Sequence, residues 1–435
     1  MSQQQQQQNS DPSLEEVVDQ QHIKRQNIWV CGYNDLRQLG IVSKSLNLAQ
    51  PLTHVFPNRI VKVKCGPYFS IFIDELGNCF GTGTNSSNQL GIANSGKTEL
   101  FPIDTKGEYI VDCECGYGFS IFINKKGHLF GAGSNNMGQI LVESVPGTCT
   151  SMTPVTEVND YSTELLLPFR KVLCGSQFSC YFTKDRRILV NGFSVVQPHL
   201  KPYIGKLKEL DTMSCVGAND IHNVYSGNNR ITLLTSTGKV HEITSAATSE
   251  IYIPKMSDDE QVADIYDRDS ITIYKTNQNR LFIRGAHEGD NSNAIELLQL
   301  SFPWSQVKNI FIGGYHAFFI RSVSSFKIEI YGVGSNSFGQ LSLGHNSRVA
   351  KPAQITHQPF ITCLKSDLII AAGASHSIFY HINDHEKYVR LFFNKLGSLL
   401  KLTLELPDTI EEPQNYHSSK TLLTDISITS FTVIH

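Results

Sequence analysis

What this sequence does without narrows its class before any motif is considered. No stretch reaches the roughly 18 consecutive apolar residues of a membrane-spanning helix, and the N-terminus has no apolar core of a secretory signal. The expectation is a chain without membrane insertion, located in the cytoplasm or the nucleus. Net charge is only -3 and the pI about 6.6, so no overall field steers the chain toward nucleic acid or an anionic membrane. Gly-x-Ser-x-Gly and His-Glu-x-x-His are both missing. No catalytic, cofactor-binding or metal-binding residue is therefore assigned, and the chain reads as a non-enzyme with no cofactor.

The stretches that come nearest to chemistry have plainer explanations. Gly81-Thr82-Gly83 and Gly131-Ala132-Gly133-Ser134 are glycine-rich, but the spacing is not that of a phosphate loop and no helix pattern follows. Cys113-x-Cys115 has no second pair to complete a metal site. His376, His381 and His385 are spaced like ligands, yet His376 occupies a repeat position. Asp258-Asp259-Glu260 and Asp384-His385-Glu386 read as solvated runs. The ten cysteines lack the spacing of a disulfide framework, and with no export signal all are expected as free thiols. The glycosylation sequon at Asn85-Ser86-Ser87 then goes unused.

A repeat dominates what is present. Cys65-Gly66-Pro67-Tyr68-Phe69-Ser70-Ile71-Phe72-Ile73 returns as Cys115-Gly116-Tyr117-Gly118-Phe119-Ser120-Ile121-Phe122-Ile123, 50 residues on. Gly66 to Gly77 and Gly116 to Gly127 are both 11 residues; Gly66 to Gly83 and Gly116 to Gly133 are both 17. Further first halves stand at Cys174-Gly175, Gly227, Arg268, Gly313 and Gly373, seven in all. Seven second halves end at Gly32, Gly83, Gly133, Gly192, Thr244, Gly285 and Gly334. The one at Trp29 has no partner before it, and the first half at Gly373 has none after it. A ring in which the N-terminal strand completes the last blade pairs them all and removes the sheet edges.

Within each copy, Ser70-Ile71-Phe72-Ile73 and its equivalents are strands, and Gly77, Gly127 and Gly238 supply a tight turn. Gly66 and Gly83 are expected to lack side chains because inner strands crowd the shaft. The fold class is thus all-β, a seven-bladed propeller over residues 27–385. Residues 1–26, with six glutamines in a row and more acid than base, read as a disordered tail. Residues 386–435 read as an extension packed on or beside the propeller, with a helix-like face at 386–400 and strand-like alternation at 400–406 and 426–431.

The pattern Cys65-Gly66, Phe80 to Asn85 and Gln89-Leu90-Gly91, repeated at Cys115-Gly116 with Gly131 to Asn135 and at Gly332 to Asn336 with Gly339-Gln340-Leu341, resembles the regulator of chromosome condensation repeat family. The resemblance covers 27–385 and implies a seven-bladed propeller closed by its N-terminal strand. It also implies a protein partner. The family's founder is a guanine nucleotide exchange factor for the small GTPase Ran and binds chromatin, while other members are interaction modules. This chain departs from the founder in its acidic rather than basic tail and in the lost Gln-Leu-Gly loops of its fourth and fifth repeats. The functional expectation is therefore a monomeric scaffold or adaptor without direct nucleic-acid binding, with exchange on a small GTPase as the alternative. The long connection Ser134–Arg170 and the degenerate repeats are the expected seat of specificity.

Overall fold

The computed structural model describes residues 28–93, 96–140, 147–155, 169–192, 203–210, 216, 221–244, 248–254, 256–285, 295–324, 327–356 and 368–382. The expectations for the tail at 1–26 and the extension at 386–435 lie outside these residues, as do Asp384, His385 and Glu386.

The strands run β1 (Ile28–Gly32), β2 (Leu46–Pro51), β3 (Ile60–Cys65), β4 (Phe69–Asp74), β5 (Cys79–Thr84), β6 (Lys97–Ile103) and β7 (Ile110–Cys115). They continue with β8 (Phe119–Asn124), β9 (Leu129–Ser134), β10 (Thr148–Pro154), β11 (Phe169–Cys174), β12 (Phe178–Thr183), β13 (Ile188–Gly192) and β14 (Tyr203–Glu209). Next come β15 (Ile221–Ser226), β16 (Ile231–Thr235), β17 (Val240–Ile243), β18 (Thr248–Glu250), β19 (Val262–Arg268), β20 (Ile271–Thr276), β21 (Leu281–Arg284) and β22 (Ile295–Leu297). The last are β23 (Val307–Ile312), β24 (His316–Ser322), β25 (Ile328–Gly334), β26 (Val349–Gln354), β27 (Leu368–Ala372) and β28 (His376–His381).

They form seven four-stranded antiparallel sheets. Blade one is β3–β6, blade two β7–β10, blade three β11–β14, blade four β15–β18, blade five β19–β22 and blade six β23–β26. Blade seven has the order β2-β1-β28-β27, so the N-terminal segment supplies two strands to the last blade. β1 pairs with β28 through Ile28↔Tyr380 to Gly32↔His376. The inner strands β3, β7, β11, β15, β19, β23 and β27 each contact the next, and β27 contacts β3, which closes the ring.

A single four-stranded sheet cannot bury both faces, so the hydrophobic cores lie between blades. There are seven. One joins Ile28, Val30, Ile378 and Tyr380 of blade seven to Val63, Phe72 and Phe80 of blade one. The six others follow in turn around the ring. The turn glycines behave as expected: Gly77 and Gly127 have φ of 78° and 85°, and Arg186, which replaces glycine in blade three, holds 68°.

The reason for Gly66 and Gly83 differs from the expectation of crowded inner strands. A Cβ on Gly66 would run into the ring of Phe69, three residues later in the same blade, and Gly116 and Gly175 stand likewise against Phe119 and Phe178. The glycine is a seat for its own blade's aromatic ring. Gly83 has φ of 108°, and a Cβ there would lie 2.5 Å from the Tyr68 carbonyl oxygen.

Candidate functional site

The turns between the first and second strands of each blade meet around the shaft at one face of the ring. Neighbouring turns are tied by backbone hydrogen bonds. Tyr117 N donates to Ser176 O (3.4 Å), Ser176 N to Asn228 O (2.8 Å) and Asn228 N to Asp269 O (3.1 Å). Ser270 N donates to Gly314 O (3.3 Å), Gly314 N to Gly373 O (2.9 Å) and Ala374 N to Pro67 O (3.3 Å). The circuit breaks between blades one and two, where Pro67 has no N–H to give. There the tyrosines of the two turns, Tyr68 and Tyr117, pack edge to face with centroids 6.3 Å apart.

This pair belongs to a longer arc. Tyr33, in the loop after β1, stands 6.3 Å from Tyr68 and 4.7 Å from Phe338, in the loop after β25. Four aromatic side chains thus run across blades six, seven, one and two on one face. Tyr117 is 56% exposed, and the other three are half-buried. Asp269 is the only charged residue between Pro67 and Tyr68 and their equivalents in the seven turns. The opposite face differs sharply. Its turns carry Glu75, Lys125, Lys126, Lys184, Asp185, Arg186, Arg187, Lys239 and Arg280.

The loops that display the arc are fixed by the repeat's Asn and Gln. Asn34 Oδ1 accepts from Leu39 N (2.9 Å) and Asn85 Oδ1 from Leu90 N (2.9 Å). Asn135 Oδ1 accepts from Ile140 N (2.8 Å) and Asn336 Oδ1 from Leu341 N (2.9 Å). Gln340 Oε1 accepts from the N–H of Phe338 (3.0 Å) and so sets that ring directly. Each loop is also latched to the next blade, where Ser70, Ser120 and Ser179 donate to the carbonyls of Gln38, Gln89 and Gln139 at 2.8, 2.8 and 2.6 Å. The glycine-rich stretch after Gly131 is one of these latched loops. The sequon asparagine Asn85 is fully buried, with its amide nitrogen donating to Ile92 O (2.8 Å), so the folded chain offers no acceptor there.

Below the turns lies a cavity of about 560 Å³ lined by four carboxylates (Glu114, Asp264, Asp267, Asp269) and three cations (Lys64, Lys171, Arg268). Most are already paired. Lys64 bonds Glu114 and lies 3.5 Å from Asp112; burial works against its ammonium, but the two carboxylates outweigh it and hold its pKa above the ordinary value. Lys171 donates to Asn223 Oδ1 (3.2 Å) and Val224 O (3.1 Å) and sits 4.2 Å from the Tyr225 ring centroid; burial pulls its pKa down. Tyr225 donates its hydroxyl to Asp264 (2.6 Å), and burial with that carboxylate pushes the phenol's pKa up. Arg268 stands where six other blades have glycine and bonds the Cys65 carbonyl across the shaft.

Two serine–histidine pairs look like nucleophile dyads but have no route to solvent. His376 Nε2 lies 3.0 Å from Ser70 Oγ, and His316 Nε2 lies 2.8 Å from Ser377 Oγ. All four residues are fully buried, and burial drops both histidines to about 3. They are inter-blade struts. No cluster of three His, Cys, Asp or Glu that could hold a metal exists among the described residues.

Glu260 departs from the expected solvated run. Its side chain is buried and pairs with Arg280 at 2.7 Å, while Asp258 and Asp259 are exposed. The eight described cysteines are all free; Cys215 and Cys363 lie outside the described residues. Within the Ser134–Arg170 connection, 141–146 and 156–168 also lie outside them. The aromatic arc sits on blades six, seven, one and two, the regular side of the ring. The signal was in the sequence: Tyr68, Tyr117 and Tyr315 recur two or one residues after a repeat glycine, a place with no packing duty.

No family model and no curated protein matches the sequence. Similarity appears at the level of solved structures. Human WBSCR16 superposes with a TM-score of 0.63 at 15% identity, over 82% of this chain and 98% of its own. Prp20p from Saccharomyces cerevisiae, described with its binding properties to Gsp1p and histones, gives 0.63 at 13% identity, over 85% and 95%. The same yeast protein, named as yeast RCC1 and bound by Kap60, gives 0.61 at 13%, over 90% and 97%. This chain therefore has the fold of an RCC1-like seven-bladed β-propeller.

Proposed function

We propose that this protein is a monomeric interaction scaffold of the cytoplasm or nucleus, and that a protein partner docks on the face carrying Phe338, Tyr33, Tyr68 and Tyr117. The observation that carries the reading is the arc itself, at centroid spacings of 4.7, 6.3 and 6.3 Å, beside turns almost free of charge. Protein interfaces are enriched in tyrosine and phenylalanine and depleted in charge at their centre. Rigid display on hydrogen-bonded loops lowers the entropy lost on binding. A scaffold also fits the cavity chemistry, in which most charged groups already have partners within the protein.

The test is quantitative affinity capture with the wild type and with Tyr68→Ala, Tyr117→Ala and the pair. Partners enriched by the wild type should fall by at least roughly tenfold with the pair, as expected for the loss of hot-spot aromatics. A Lys125→Ala, Lys126→Ala variant on the opposite face should retain them. Unchanged capture by the tyrosine pair would sink the assignment of the face. The second reading, nucleotide exchange on a small GTPase, draws on the fold shared with a Gsp1p-binding protein. It is separated by release of a fluorescent GDP analogue from Ran and a GTPase panel. The scaffold reading expects no acceleration; multiple-turnover release would replace it.

A further inference from the structure

Among the described residues that line the cavity, Asp269 is the carboxylate left without a hydrogen-bond or ion-pair partner. It follows Arg268 at the tip of the blade-five turn, at φ of 42°, a conformation that non-glycine residues seldom hold. Its backbone is pinned: the carbonyl accepts from Asn228 N (3.1 Å) and from Arg230 Nη1 (3.0 Å). Its carboxylate accepts no hydrogen bond and forms no ion pair with any described residue. Burial pushes its pKa up from the ordinary carboxylate value; Arg268 and Arg230 pull it back toward the ionised form but are committed to Cys65 O and to Asp267. Space has been cleared for it. A Cβ on Gly314, in the neighbouring turn, would lie 2.7 Å from Asp269 Oδ2. The carboxylate lines the 560 Å³ cavity together with Tyr117, the exposed end of the aromatic arc, and carboxylates outnumber cations there by four to three.

A desolvated carboxylate without a donor is costly to keep. In a cavity that the exposed Tyr117 also lines, it is a receptor for one kind of side chain. We propose that the shaft mouth between Asp269 and Tyr117 takes an arginine side chain from the protein partner, with the guanidinium hydrogen-bonded to Asp269 and its plane against Tyr117. This rests on the proposed docking face and adds the chemistry of its anchor. Arginine fits better than lysine because its flat fork can bond a carboxylate and stack on a ring at once.

The test uses the full chain and N-acetyl-arginine methylamide as the probe, followed by saturation-transfer NMR, with the neutral citrulline analogue beside it. The arginine probe should bind weakly and saturably, and the citrulline analogue at least roughly tenfold more weakly, the ratio expected for loss of a charge-assisted pair. Asp269→Asn, which keeps a residue tolerant of positive φ, should lose the arginine preference at an unchanged melting temperature. Should that variant melt early, Tyr117→Leu decides, because Tyr117 is 56% exposed and its loss removes the stacking ring without touching the charge; it too should weaken the arginine probe. Equal binding of the two probes, no binding of arginine, or full binding by a folded variant would overturn the inference. Partner capture that depends on Tyr68 and Tyr117 while the arginine probe fails leaves the docking face standing and removes only this anchor. Arginine binding with capture indifferent to both tyrosines does the reverse.

Discussion

Blades one and four begin their second strands with the same task and solve it with opposite chemistry. In blade one the ring of Phe69 lies over Gly66, and the surroundings are apolar. In blade four the guanidinium of Arg230 takes the ring's place over Gly227. Arg230 bonds the fully buried Asp267 of blade five and Thr272 Oγ1 (2.9 Å), and it lies 3.8 Å from Glu242, which also pairs with Arg284. Thr232 adds a 2.6 Å hydrogen bond to Asp267. A dispersive contact tolerates small changes, whereas a buried ionic cluster fails as a unit when one member goes. The outer strands of blades four and five, β18 and β22, are only 3 residues long, so these blades lean on the cluster more heavily. What looks worn in the repeat is a rebuilt joint.

The largest effect should come from the joint that neither chemistry can replace. Deleting residues 1–35 removes β1, with Ile28, Trp29, Val30 and Cys31 all buried. Large side chains of this kind contribute about 1.5–3 kcal/mol each, together comparable to a domain's whole stability of about 5–15 kcal/mol. Expression should give aggregate or a chain without a cooperative melt, whereas deleting 1–25 should leave the melting temperature in place.

Next comes Arg230→Leu, which strands Asp267 in the core. It should cost about 3–5 kcal/mol by denaturant unfolding. Combining Arg230→Phe with Asp267→Cys, the residues that blades one and two place there as Phe69 and Cys115, should recover most of that loss. If the single and double changes cost the same, the cluster is not what holds blades four and five.

Blades six and seven put His316 and His376 where blade one has Phe69, and this makes them sensitive to acid. Both are lowered by burial from 6.5 to about 3, so the unfolded chain binds more protons between those values. Stability should therefore be full above pH 6.5 and fall as pH drops toward 3. By pH 5 the loss should be about 2 kcal/mol for each histidine. His316→Phe with His376→Phe should flatten that part of the pH profile, which chemical denaturation at stepped pH would show.

The smallest contrast is between two glycines. Gly66→Val meets the ring of Phe69 and should cost about 1–3 kcal/mol or more, and Gly227→Val, which pushes the Arg230 guanidinium off Asp267, should cost more still. Ser87→Val, in a half-buried loop, should be near neutral.

The ring was legible because its signals are local and repeated. Cys65-Gly66 to Gly83 states two strands and two turns, and the unmatched halves at Trp29 and Gly373 state the closure. The reason for Gly66 was not legible, since periodicity marks a missing side chain without saying which neighbour needs the room. Arg230, Asp267 and Glu242 were passed over for a related cause. Each replaces the residue type its repeat position carries elsewhere, and an ion pair that joins residues 37 apart leaves no period. Glu260 was misplaced among solvated neighbours because its partner Arg280 is set by the turn two strands away. The other half of the aromatic arc needed geometry, as Phe338 and Tyr33 lie 305 residues apart and become neighbours only when the ring closes.

The docking face is the central claim, and position-specific photo-crosslinking tests it most directly. A benzoylphenylalanine placed at Tyr68 or Tyr117, and as controls at Lys126 or Tyr252, would be irradiated in lysate with the full chain. A discrete crosslinked protein should appear from positions 68 and 117, be absent from 126 and 252, and be suppressed by excess wild-type propeller. The same protein captured equally from position 126, with none from 68 or 117, would contradict the docking face.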